Sequence, residues 1–358
     1  MWDYSWLNGH YPGGPFEDFD RVTDELLERG FNTVRIDAFP FVIHDLQGKE
    51  RSDYLVKKNP LIPWGLSTID HTHEMPGELI EFMTITQKKG IYVILSSWGV
   101  DRGTYTTREK FYEAWEFTLN VLKERDLLGH VLFVDLDQEF PNFSPFKTQI
   151  YSLDLGTPSN TNPFDRKWND RQFAFLRDHI TDLLHMFQRQ YPELRFTFSF
   201  VTNLDQFREM NLTALDVLEV HTWMDLKRFD ARTGFFSIKQ NRDPRNDYID
   251  YMRRITATMQ SMRPMLLQNM HNQLRFVRDW SREIGAPLVT TEAWGPWWHT
   301  DHPQLDWQWF YDWCEQCMGL SSQYGFWGST PWNFSHPYWE NWKNVDWYLR
   351  VNGNFLEQ

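Results

Sequence analysis

A (β/α)8 barrel is the fold class predicted for this chain of 358 residues. Three observations carry it. Short apolar runs of strand character alternate with amphipathic helical stretches along almost the whole length. Eight such runs can be counted, the number that closes this barrel. The connections after the second, fourth and sixth runs are long, and in a barrel all three leave the same face. A doubly wound parallel sheet is the rival. It would usually carry a glycine-rich phosphate turn after its first strand, and none is visible.

The predicted strands are Trp2–Trp6, Thr33–Phe39, Tyr92–Ser97, Val131–Asp137, Arg195–Thr202, Val217–Trp223, Leu288–Glu292 and Gly325–Thr330. The turn-rich HYPGGP after the first reads as a loop. The first helix sets Phe19, Val22 and Leu26 on one face and stops at Gly30, a residue suited to the left-handed C-terminal position. Further along, Phe111, Trp115, Leu119 and Leu122 repeat that spacing, as do Phe173, Leu176, Ile180, Leu184 and Phe187 ahead of Pro192. A long helical stretch from about Asp247 to Gly285 is expected to break near Pro264. The three long connections, from Pro40 to about Glu74, Phe140 to Asp170 and Met224 to Asn246, are taken as pocket walls. Repeats, low-complexity tracts and a linker are not visible, so residues 1–358 are read as one domain.

Composition narrows the function. With 36 basic and 49 acidic side chains the net charge is −13, which argues against nucleic acid. No apolar run is long enough to span a membrane, and the N-terminus lacks a leader pattern, so the expectation is a cytoplasmic protein. The two cysteines, Cys314 and Cys317, form half a zinc motif with no second half, and read as buried thiols in a helix. Tryptophan is abundant, at 19 residues. Indole offers a flat apolar face with one polar edge, which suits the C–H faces of a sugar. The partner expected is carbohydrate. Nothing in the composition speaks to oligomeric state.

Two strands end on carboxylates. VLFVDLDQEF carries Asp135, Asp137 and Glu139 at alternate positions, hence on one strand face, and LVTTEAW ends on Glu292. A lone carboxylate there is more often structural. Two facing each other across a barrel mouth are what glycoside hydrolysis uses, one protonated as acid and one ionised as nucleophile or base.

On these residues the chain resembles the clan A glycoside hydrolases, in particular cellulase-like enzymes of the family-5 type. ERGFNTVRIDAFP is similar to that group's second-strand segment, TEAWG to its nucleophile segment, EVHTWM to its sixth-strand His-x-Tyr, and STPWNF to its eighth-strand Trp. The motifs occur in the family's order across nearly the whole chain. The resemblance implies that Glu139 is the acid/base, Glu292 the nucleophile and Arg35 the partner of Glu292. It implies that His221 is a polar contact, Trp332 a stacking platform, and the mechanism retaining. Two positions depart from the pattern. Gln138 stands for the usual Asn before the acid/base, and Trp223 for the Tyr that steadies the nucleophile. Asp37, Trp98, Gln138, Trp223 and Trp294 complete the substrate-binding candidates, with Trp297 and Trp298 as further possible walls.

Cofactors are not expected, and no metal is required. His71 and His73 form an HxH pair in DHTHEMP, read as a loop or helix-start feature rather than a metal site. His299 and His302 in WWHTDH are weighed with the same metal reading, and His10 and His299 are unranked candidate substrate contacts. The competing classes are a non-catalytic carbohydrate-binding barrel and, further off, a metal-dependent hydrolase.

Overall fold

The computed structural model describes residues 5–46, 53–58, 67–98, 105–153, 167–224, 244–295, 306–332 and 337–357. Seven parallel staves of a barrel run through them in chain order. β1 (Thr33–Asp37) is followed by a hairpin of β2 (Asp53–Val56) and β3 (His71–Glu74), then by β4 (Tyr92–Ser96) and β5 (Val131–Asp135). β6 (Phe196–Thr197) and β7 (Ser199–Phe200) are one stave, as are β8 (Leu218–Val220) with β9 (Thr222–Trp223) and β10 (Leu288–Thr290) with β11 (Ala293–Trp294). β12 (Gly328–Ser329) is the last. β1, β4, β5 and β6 hydrogen-bond side by side, and β7, β8, β10 and β12 continue the array, all in parallel. Curvature brings Arg35 of β1 into contact with Glu219 of β8 and Glu292 after β10, across the barrel interior.

The period-two alternation of a strand explains what each stave contributes. Val34, Ile36, Val93, Leu95, Val134, Phe196, Phe198, Leu218 and Val220 join the large core shared with the helices. Their neighbours point inward, where Ile94, Phe133, Val217 and Val289 pack as a separate apolar plug. The other inward positions are polar, and Arg35, Asp135, Thr197, Ser199, Glu219 and His221 are all fully buried. Those buried polar groups must find partners, and most find them in one another, while Thr197 donates to the Val217 carbonyl at 2.6 Å.

Helices cover the outside. Phe19–Glu28 is N-capped by Asp18, whose carboxylate accepts from the Arg21 N–H, and its end is followed by Gly30 at φ 74°. Thr107 caps Arg108–Lys123, and Asn169 with Gln172 forms a capping box on Asp170–Gln190. Cys314 and Cys317 are buried, unbridged thiols in the helix Gln308–Gln323, as expected.

Several expectations need correction. Ser5–Asn8 is a helical turn rather than the end of a strand, and the rest of the predicted first strand lies outside the described residues. The helix Pro244–Ile284 continues through Pro264. Proline removes a single N–H, and buried Met259, Met262, Leu266 and Met270 hold the turns on either side to the core. The first long connection is structured, by the helix Pro40–Leu46 and the β2–β3 hairpin. The third lies outside the described residues up to Pro244. Among the described residues no helix is long and apolar enough to cross a membrane.

Candidate active site

The polar groups converge at the ends of β1, β5, β8 and β10. Glu292 follows β10 and is 1% exposed. Its Oε1 accepts from the Arg35 Nη2 and from the Gln138 Nε2. Its backbone carbonyl accepts from the Thr222 N–H at 3.0 Å, which fixes the turn that presents it. The guanidinium is fully buried, and its charge acts on the carboxylates around it. Charge-assisted bonds of this kind are short and directional, and they fix the orientation of the carboxylate.

Glu139 reaches the same place by a different route from the one alternation suggests. β5 ends at Asp135, and Glu139 lies four residues on at φ 48°, in the left-handed region. A non-glycine residue held there is strained, and such strain persists only where surroundings enforce it. Here the Glu139 N–H donates to Ser199 Oγ at 2.9 Å. Ser199 in turn is held by Asp135, through its N–H at 2.9 Å and its hydroxyl at 3.0 Å. Ser96 donates to the same carboxylate at 2.9 Å. Asp135 and Ser199 therefore anchor the kink, which answers what the acid run is for: Asp135 supports and Glu139 is presented. Asp137 is buried beside them, and burial raises its carboxyl well above the ordinary range.

His221, on the bridge between β8 and β9, links the two glutamates. Its Nδ1 lies 2.9 Å from Glu139 Oε1 and 3.6 Å from Glu292 Oε2. Its Nε2 faces Arg35 Nη1 at 3.3 Å and Glu219 Oε1 at 3.5 Å. The two glutamates and His221 offer ligand-type atoms all within 4.8 Å of one another. They differ in access, the Glu139 side chain being 12% exposed and that of Glu292 2%.

Electrostatics separates them further. Burial, with the neighbouring Glu292 charge, raises the Glu139 carboxyl despite the pull of His221. Burial alone would strip the proton from His221, but Glu292, Glu139 and Glu219 outweigh it and push the imidazole up to about 10. Asp37 is raised to about 7 by burial, although it accepts from the Phe39 N–H at 2.8 Å and the Trp98 N–H at 3.3 Å. It fastens two loop starts together at the barrel mouth.

The aromatic candidates divide. Trp98 is partly exposed and lies 5.5 Å from the ring of Phe143, itself 41% exposed. Trp223 is partly exposed and stands edge-on to Trp332 at 6.0 Å. Trp332 is fully buried, also against Phe310 at 4.5 Å. Trp294 is fully buried, and its indole N–H donates to the Thr330 carbonyl at 2.8 Å. That polar edge is already used inside the protein. Trp297, Trp298, His299 and His302 lie outside the described residues. His10 is stacked on Phe19 at 3.9 Å and bonded to the Phe16 carbonyl, a packing role.

His71 and His73 lie on a strand of the hairpin, not in a loop. Their Nε2 atoms are 3.0 Å apart, and His73 Nδ1 bonds Glu78 at 2.6 Å. Among the described residues, the further atom bonded at that point is the Asn8 carbonyl, 3.0 Å from His71 Nε2, and together these are fewer donors than a tetrahedral zinc centre takes. The Glu139, His221 and Glu292 cluster has the spacing of a cation site, but Arg35 already neutralises Glu292 there. A cavity of about 360 Å³ opens elsewhere, at the strand starts around Thr33, Tyr92, Leu132 and Arg195.

Sequence reasoning set Glu219 on the barrel face of His221, as part of a buried polar layer, because the two are two residues apart on one strand. It left Ser199 and Thr291 without a role.

Residues 1–355 match the model of the family described as "Sugar-binding cellulase-like", and the chain belongs to that family. Among solved structures it is similar to a protein from Parabacteroides distasonis ATCC 8503 whose glycoside hydrolase name is itself an inference. The two are 27% identical with a TM-score of 0.84, over 99% of this chain and 92% of that one. Looser likenesses, which carry no argument, include a β-galactosidase from Halorubrum lacusprofundi, with 11% identity, a TM-score of 0.49, and 98% and 57% of the two chains. Another is an endocellulase from Pyrococcus horikoshii, with 12% identity, a TM-score of 0.45, and 98% and 91% covered. A search of curated protein sequences finds no match.

Proposed function

We propose that this protein is a retaining β-glycoside hydrolase acting on β-linked oligosaccharides or glycosides. The observation that carries the reading is the pair of glutamates whose carboxylate oxygens come within 4.8 Å, in unlike environments. Retaining enzymes hold their carboxyls about 5–5.5 Å apart, whereas inverting ones leave room for a water at about 6.5–9.5 Å.

Glu292, ionised under Arg35 and Gln138, attacks the anomeric carbon and forms a glycosyl-enzyme. Glu139, whose raised affinity for its proton suits an acid, delivers that proton to the leaving oxygen. It then takes a proton from the water that releases the sugar. Gln138 has its amide N–H committed to Glu292, and its Oε1 is buried without a partner among the described residues, an acceptor for a sugar hydroxyl. Trp98 and Trp223, with their part-exposed rings, are walls for the sugar faces, and Asp37 sets the loop starts between them.

A panel of aryl β-glycosides tests this, with the anomer first released read by NMR. A β-anomer as first product is expected. An α-anomer would refute retention. Sugar binding without turnover of any member would favour the non-catalytic reading, which the replacements Gln138 and Trp223 motivate. Activity lost to a chelator and restored by Zn²⁺ would favour the metal-dependent one.

A further inference from the structure

Glu219 has no contact with solvent and lies beneath the two glutamates. The Thr291 hydroxyl donates to its Oε1. That oxygen is 3.7 Å from Arg35 Nη1 and 3.5 Å from His221 Nε2. It therefore touches both basic neighbours of the reacting pair.

The charges facing His221 are Arg35, Glu139, Glu219 and Glu292, and Asp135, raised to about 7 by burial and the Glu219 charge, interacts with it as well. With Glu219 ionised and Asp135 protonated, Arg35 and His221 carry two positive charges against two negative ones on Glu219 and Glu292, and the sum is zero. Glu139 can then gain or lose its proton without stranding a further buried charge. Without the Glu219 charge, the sum with a protonated His221 would be +1. The nearest relief is for His221 Nε2 to give up its proton and accept from the Arg35 N–H 3.3 Å away.

The proton on Nε2 matters because Nδ1 is 2.9 Å from the proposed acid. A neutral imidazole beside Glu139 is a base that competes with the glycosidic oxygen for the same proton. An imidazolium has both nitrogens protonated and can only donate. We propose that Glu219 is a positioning residue that keeps His221 doubly protonated, so that the histidine tethers Glu139 without ever taking the proton meant for the substrate. The high proton affinity of His221 and the lowered one of Glu219 agree with this. Burial works against the Glu219 charge, but His221, Arg35 and Thr291 overcome it. In the first half-reaction the proton leaves Glu139 for the glycosidic oxygen as the C–O bond breaks. In the second it returns from water as the ester to Glu292 is cleaved, and His221 holds the same two protons throughout.

The inference rests on the acid/base reading of Glu139, and the experiment separates the two. Histidine side chains of the full chain are labelled with ¹⁵N, and the His221 signal is assigned by its loss in His221→Gln. In the wild type it should remain an imidazolium from pH 5 to 9. In Glu219→Gln it should titrate inside that range. Kinetically, Glu219→Gln should lower kcat/KM at least tenfold for a glycoside with a poor leaving group, which needs the acid. It should do so by less than threefold for a dinitrophenyl glycoside, which does not. Thr291→Val, which removes only the hydroxyl holding Oε1, should shift the histidine titration in the same direction by a smaller amount, and serves if Glu219→Gln fails to fold. An unchanged His221 titration in a folded Glu219→Gln protein, or equal losses on both substrates, would overturn the inference. If wild type turns over no glycoside while the titration shifts as stated, the charge-holding role stands and the glycosidase reading falls.

Discussion

Replacing Glu292 by Gln removes one negative charge and almost no volume. Oε1 keeps its place as acceptor for Arg35 and Gln138, so the amide has a defined orientation with its NH2 at the former Oε2. That group then faces His221 Nδ1, which lies 3.6 Å from Oε2. Arg35 and His221 lose half of the charge that balanced them. Breaking a buried ion pair in this way costs about 3–5 kcal/mol, and the melting temperature should fall accordingly. The chemical effect is larger. An amide cannot form the glycosyl-enzyme, and loss of a covalent nucleophile lowers turnover by at least about 10⁴-fold, or about 5.4 kcal/mol of barrier. Initial rates on an aryl β-glycoside, with circular dichroism to establish folding, check both numbers. A folded Glu292→Gln protein within tenfold of wild-type kcat would remove Glu292 from the nucleophile's place.

Glu139→Ala should retain turnover of a dinitrophenyl glycoside for the first step and regain the second with added azide, giving a glycosyl azide. It should also lose the alkaline limb of the kcat/KM profile, and a limb persisting in the variant would assign it to another group. His221 has its folded pKa raised to about 10 from 6.5. Its stabilisation is thus full below pH 6.5 and lost as pH rises through 10. The shift corresponds to roughly 4–5 kcal/mol. Urea titrations from pH 7.5 to 10 should show that loss in wild type and its absence in His221→Gln, while equal slopes would contradict the assignment. Asp37, raised to about 7 from 3.8, should act in a lower window. Its contribution is full below pH 3.8 and lost as pH rises through 7. Asp37→Asn should therefore gain up to roughly 4 kcal/mol on wild type between pH 4 and 8, and no relative gain would refute it.

Much of this was legible from residue order because the strand period is local. Arg35, Asp135, Glu219 and His221 each occupy the inward phase of an apolar run, and the neighbours that pack outward identify that phase without any coordinates. The helix stop at Gly30 was readable for the same reason, since capping is a matter between residues three or four apart. What could not be read were events that depend on distant chain segments. Glu139 is presented by a left-handed kink held by Ser199, 60 residues away, and alternation along β5 would have stopped short of it. Pro264 sits inside a continuous helix because core contacts hold turns that proline alone would open. The indoles of Trp294 and Trp332 look alike in sequence to those of Trp98 and Trp223, and only packing sorts buried from part-exposed.

By itself, then, the sequence determined the barrel and the residue types at its mouth, because periodicity and composition are properties of neighbouring residues. Tertiary structure decided which carboxylate is clamped, which is reached from outside and which lies beneath them. Those differences arise from charges on β1, β5, β8 and β10 that meet only when the sheet curves, and Coulomb energy in a buried site depends on separations that no linear spacing encodes.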